Sequence, residues 1–100
     1  MNYYIFKTDN LTGKTINICN GSHETESEIS THWMSYLYGF MDGAFELVGR
    51  NNVQMTNGTH DRSFQFSIEG KANVEYFMLL DEEGQDMIME ICKTWEEDAR

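Results

Sequence analysis

The side chains best suited to chemistry are three histidines and two cysteines, and their spacing matches no catalytic or metal-binding motif. His23, His32 and His60 fall in separate segments, and Cys19 and Cys92 form no C-x-x-C pair. The sequence contains no nucleophile elbow, zinc-protease helix, phosphate-binding loop or dinucleotide fingerprint. We therefore expect exposed histidines, no enzyme activity, no metal and no cofactor. An enzyme whose histidines and acids are assembled only by folding is the minor alternative.

A row of carboxylates near the C-terminus is the pattern that most indicates a function. Lys93 is the only internal base of that segment, and like charges three or four residues apart slightly destabilise a helix. The row is either a solvated face or a mimic of backbone phosphates that enters a basic groove. Its members share one face of a predicted helix: Glu82, Glu83, Asp86, Glu90 and Glu97.

The overall charge narrows the choice of partner. Seventeen acids against seven bases give a net charge of -10. Carboxylates repel phosphate, which argues against nucleic acid and anionic membranes as direct partners and permits a basic protein surface. The sequence shows neither a signal peptide nor a run of about 18 apolar residues. We therefore expect a cytoplasmic protein in which Cys19 and Cys92 are free thiols.

The length of the chain predicts a single domain, residues 1–100. Alternating or continuous apolar runs predict strands, and three- and four-residue spacing predicts helices. The result is an α+β fold of order ββα-βββα, with one antiparallel sheet of about five strands and both helices packed on one face. The strands are expected at 2–8 and 15–19, on either side of Asn57-Gly58, and at 74–80, and the helices at 27–48 and 81–98.

The hairpin around Asn57-Gly58 has the clearest turn signal. A two-residue turn there would pair Thr56 with Thr59 and Met55 with His60. An even-length loop also places the apolar side chains of both strands on one face. These side chains are Val53, Met55, Phe64, Phe66 and Ile68.

The first helix is apolar over more than half of its circumference. Its main stripe includes Ile29, Trp33, Phe40 and Ala44, and one sheet covers little more than such a stripe. A second apolar stripe lies beside the main stripe, and it therefore requires a packing partner other than the sheet. The C-terminal helix is the favoured cover, and a second copy or a target protein is the alternative. We call the following residues the second stripe: Met34, Tyr38, Met41 and Phe45.

In size and acidity, and in the acidic residues of its last helix, the chain resembles the small anti-defence proteins of phages and mobile elements, such as anti-CRISPR inhibitors. The resemblance extends over the whole chain and includes no shared motif. It implies a non-enzymatic inhibitor in the host cytoplasm that binds a nuclease or its surveillance complex and blocks nucleic-acid entry. The alternative is a homodimeric structural or adaptor domain that associates through the first helix.

Overall fold

The chain begins with a β-hairpin. The computed structural model describes residues 1–49, 52–68 and 72–98, with the side chains of the last helix as far as Thr94. Strand β1 (Asn2–Asp9) pairs antiparallel with β2 (Lys14–Ser22). Gly13, with a φ of 76°, lies in the turn between them, where a residue without a Cβ adopts this conformation readily.

A long helix, α1 (Glu26–Val48), follows the hairpin. The Thr25 hydroxyl accepts the backbone N–H of Glu28 and so caps the first turn. The helix ends at Gly49, which has a φ of 80°, as its position after the apolar run predicted. The expected boundaries of this helix are confirmed to within one residue.

Three strands and a second helix complete the fold. They are β3 (Val53–Asn57), β4 (Ser63–Ile68), β5 (Ala72–Leu80) and α2 (Asp81–Asp98). All neighbouring strands are antiparallel, and their order across the sheet is β2-β1-β5-β4-β3. The predicted element order, the single five-stranded sheet and the strand at 74–80 are therefore confirmed.

The connection between β3 and β4 is longer than the two-residue turn that the sequence predicts. Asn57 lies opposite Phe64 and Met55 opposite Phe66, so the predicted two-residue turn at Asn57-Gly58 is wrong. The Glu75 carboxylate on β5 accepts the backbone N–H of Thr59 and holds a longer loop in place. An even number of residues still separates the paired Asn57 and Phe64, which keeps the apolar side chains of both strands on one face as expected.

The two helices cover opposite faces of the sheet. Ile5 and Phe6 are adjacent and fully buried, yet Ile5 packs in the cluster with Trp33 of α1, and Phe6 packs in the cluster with Ile91 of α2. Successive side chains of a strand point to opposite faces, so α1 and α2 lie on different sides. The expectation of both helices on one face is wrong, because the central strands are apolar on both sides and need two covers.

Helix α2 lies close to the sheet at its first turns. A Cβ at Gly84 would collide with the ring of Tyr4, so the glycine permits this close approach. The helix starts directly after β5 at Asp81, whose φ of 48° makes the sharp change of direction. The Asp81 carboxylate accepts the backbone N–H of Asn2 and ties the start of α2 to β1.

Candidate functional site

A row of carboxylates lies on the side of helix α2 that faces away from the sheet. Gly84, Ile91 and the half-buried Met87 and Ile88 face the sheet. The predicted member Glu97 lies beyond Thr94, outside the described side chains. Four of the five predicted carboxylates are exposed on the opposite side of the helix, and we call them the acidic face: Glu82, Glu83, Asp86 and Glu90.

The negative charge of the acidic face is not neutralised within the described part of the chain. None of its carboxylates forms an ion pair or a hydrogen bond with a described residue. Glu82 and Glu83 lie in the first turn, where the helix dipole stabilises anions, whereas Glu90 lies beyond its reach. The arrangement therefore offers a line of unpaired charge to a cationic partner.

The second stripe of α1 is partly open to solvent. Met34 is 41% exposed and Tyr38 is 58% exposed, whereas Met41 and Phe45 are half-buried. The expectation that the C-terminal helix covers this stripe is wrong, because α2 packs on the other face of the sheet. Met34 and Tyr38 are thus the exposed apolar part of this stripe.

Folding brings together a histidine and a buried glutamate that the sequence analysis did not connect. Glu75 is 5% exposed, and its Oε2 lies 3.0 Å from Nδ1 of His60. The same carboxylate accepts the Thr59 hydroxyl at 2.9 Å and the Gln65 amide at 3.4 Å. The imidazole stacks on Phe77 with ring centroids 4.0 Å apart and an angle of 5°. The only sequence signal was the presence of one charged residue within the apolar run 74–80.

The environment of Glu75 favours its charged form. Burial raises the pKa of Glu75, but hydrogen bonds from His60, Thr59 and Gln65 together outweigh burial and lower the pKa below its ordinary value. Nδ1 of His60 also lies 3.3 Å from the Thr59 hydroxyl, whereas Nε2 of His60 makes no hydrogen bond with a described residue. This arrangement holds the 58–62 loop against the sheet.

The other two histidines meet beside β1. The Tyr3 ring lies 5.5 Å from the His23 ring and 4.8 Å from the His32 ring. Nδ1 of His23 lies 3.5 Å from a carboxylate oxygen of Glu28. All three histidines are half-buried, so the expectation of exposed histidines is wrong.

Among the described residues, no three His, Cys, Asp or Glu side chains are arranged to hold a metal ion. Cys19 and Cys92 are both free.

The fold and these surfaces define a small α+β domain in which a five-stranded antiparallel sheet lies between two helices. No protein-family profile, curated protein or solved structure matches the chain. None of the helices in the described ranges is long and apolar enough to cross a bilayer.

Proposed function

We propose that this chain is a non-enzymatic, acidic protein-interaction domain that inhibits a larger partner by occupying its basic nucleic-acid-binding surface. The observation that carries the proposal is the acidic face, whose four exposed carboxylates have no ion-pair partner among the described residues. The net charge of -10 adds a long-range attraction to the same kind of surface. Such charge mainly raises the rate of association and selects the partner.

The acidic face resembles a DNA strand in that its negative charges follow one another along a line, although their spacing is wider. Glu82, Asp86 and Glu90 follow at four-residue intervals, which correspond to about 6 Å of helix axis each. A DNA strand carries one phosphate per about 3.4 Å of axis. The row therefore provides roughly half of the charge density of a strand. A groove that binds phosphates would therefore bind this row more weakly than a nucleic-acid strand of the same length. Other contacts of the domain would have to contribute to the affinity.

The class of partner follows from the resemblance to anti-CRISPR inhibitors. A nuclease or a nucleic-acid surveillance complex in the cytoplasm of a host cell has a basic channel of the required charge. The domain would bind there directly as a protein, without nucleic acid or membrane, and would block substrate entry by steric and electrostatic exclusion.

Neutralising two carboxylates of the acidic face is expected to weaken binding by about tenfold. The variant is Glu83→Gln with Asp86→Asn, which removes charge and keeps side-chain size. The tagged protein is used to capture partners from nuclease-treated lysate at low and high salt, and retained proteins are identified by mass spectrometry. We expect the wild-type domain to capture a basic nucleic-acid-binding protein at low salt and to lose it at high salt. Addition of the wild-type domain to that protein should displace the nucleic acid that it binds.

The matched control is Asp42→Asn with Glu46→Gln, which changes the same charge at exposed positions of α1. This control is expected to bind as the wild type does. Equal weakening of both variants would show that net charge alone is responsible and would contradict a role of the acidic face. Binding that does not weaken as salt rises would also overturn the proposal.

The exposed stripe of α1 favours a second candidate, a homodimeric structural or adaptor domain. Replacing Met34 and Tyr38 by Asp is expected to convert a dimer into a monomer, because each copy would bury a charge in an apolar interface. Sedimentation measures the change. Leu47→Asp is the control, since Leu47 is 86% exposed on another side of the same helix and should leave the dimer intact. A wild-type protein that remains monomeric at high concentration would exclude this candidate.

A further inference from the structure

An apolar groove lies on the α1 side of the sheet, opposite to the side that α2 covers. It has a volume of about 530 Å³ and runs between the C-terminal half of α1 and strands β1, β4 and β5. Phe40 forms part of its helix wall, and Val74 and Tyr76 belong to its floor. Pockets of this size and apolar character are typical of sites for small ligands.

Two helical glycines leave the groove open. A Cβ at Gly39 or Gly43 would meet no atom within 4 Å, so the packing of the chain does not require glycine at either position. Glycine inside a helix is less favourable than alanine. Both residues lie on the helix wall of the groove, and larger side chains there would narrow it.

The groove has one charged side chain, Lys7 of β1. Its neighbours across the strands are Ile16 of β2 and Tyr76 of β5, so its side chain starts from an apolar face of the sheet. Lys7 is half-buried, and its ammonium makes no hydrogen bond or ion pair with a described residue. The described lining contains no carboxylate, although the chain has 17 acids. A half-buried cation that forms no ion pair in the described chain, at the edge of a lining without carboxylates, is complementary to an anion that also has an apolar part.

We propose that this groove binds a small amphiphilic monocarboxylate, such as a medium-chain fatty acid. The carboxylate accepts hydrogen bonds from the Lys7 ammonium, and the hydrocarbon chain lies along α1 beside Gly39 and Gly43. The site is independent of the proposed partner surface, because the acidic face belongs to the helix on the other side of the sheet.

The test compares decanoate, below its critical micelle concentration, with uncharged 1-decanol. Both are titrated into the full chain, and binding is followed by the NMR shifts of groove amides. We expect the wild type to bind decanoate about tenfold more tightly than decanol. Lys7→Met should remove this preference and leave decanol binding unchanged, whereas Lys7→Arg should retain the preference.

A second variant separates a filled groove from a failure to fold. Gly39→Leu adds a side chain on the groove wall and improves helix propensity, so it should abolish binding of both ligands without lowering the melting temperature. Ser35→Leu, one turn earlier and outside the groove lining, should bind as the wild type does. Equal affinity of the wild type for the two ligands, preference retained in Lys7→Met, or shifts confined to other surfaces would overturn the proposal.

Discussion

Replacing Phe6 by alanine is expected to lower the free energy of unfolding by about 4 kcal/mol. The Phe6 ring is fully buried between the sheet and α2, and it stacks on Phe77 with centroids 5.2 Å apart. Its removal leaves a cavity below Ile91, which rigid strands on either side cannot close. Domains of this size have a total stability of only about 5–15 kcal/mol, so urea denaturation should show a clear shift of the midpoint.

Ile5→Ala provides the matched control, because Ile5 is the next residue of the same strand and is also fully buried. It packs on the α1 side, so both variants should be destabilised but in different places. Amide hydrogen exchange should show that Phe6→Ala loses protection in α2, and that Ile5→Ala loses protection in α1. Equal loss of protection in both helices from either variant would contradict two separate cores.

The sequence was a good guide wherever structure depends on local spacing. Alternation predicted the strands, the apolar run 74–80 predicted β5, and Gly49 marked the end of α1. The acidic face could also be predicted, because a helical period alone places Glu82, Asp86 and Glu90 on one side. These features require no knowledge of which distant segments meet.

Features that depend on distant pairing could not be predicted in the same way. Ile5 and Phe6 are both apolar, and nothing local indicates which of them α1 covers. That choice follows from the pairing of β1 with β5, in which Tyr3 lies opposite Leu80. The wider 58–62 loop depends likewise on a hydrogen bond from Thr59 to Glu75, on another strand. Turn propensity at Asn57-Gly58 was overridden by this tertiary contact.

Glu75→Ala is expected to cost about 3 kcal/mol of stability, because it removes a buried acceptor and leaves its donors without partners. The Thr59 backbone N–H, the His60 ring and the Gln65 amide all lose a hydrogen bond to β5, which weakens the attachment of the 58–62 loop. The measurement is urea denaturation at neutral pH. A loss below about 1 kcal/mol would show that water replaces the carboxylate and that the network does not hold the loop.

Glu75→Gln gives the same site a neutral side chain of equal size, so it isolates the contribution of charge. The folded chain lowers the pKa of Glu75 from its ordinary value of 4.5. The charge therefore stabilises the native state fully above that value, and the stabilisation is lost as pH falls through the lower native pKa. The stability difference between the wild type and Glu75→Gln should accordingly be largest near neutral pH and shrink in acid. A difference that grew on acidification would mean that Glu75 is held neutral by its burial, and that His60 and Thr59 do not stabilise a carboxylate there.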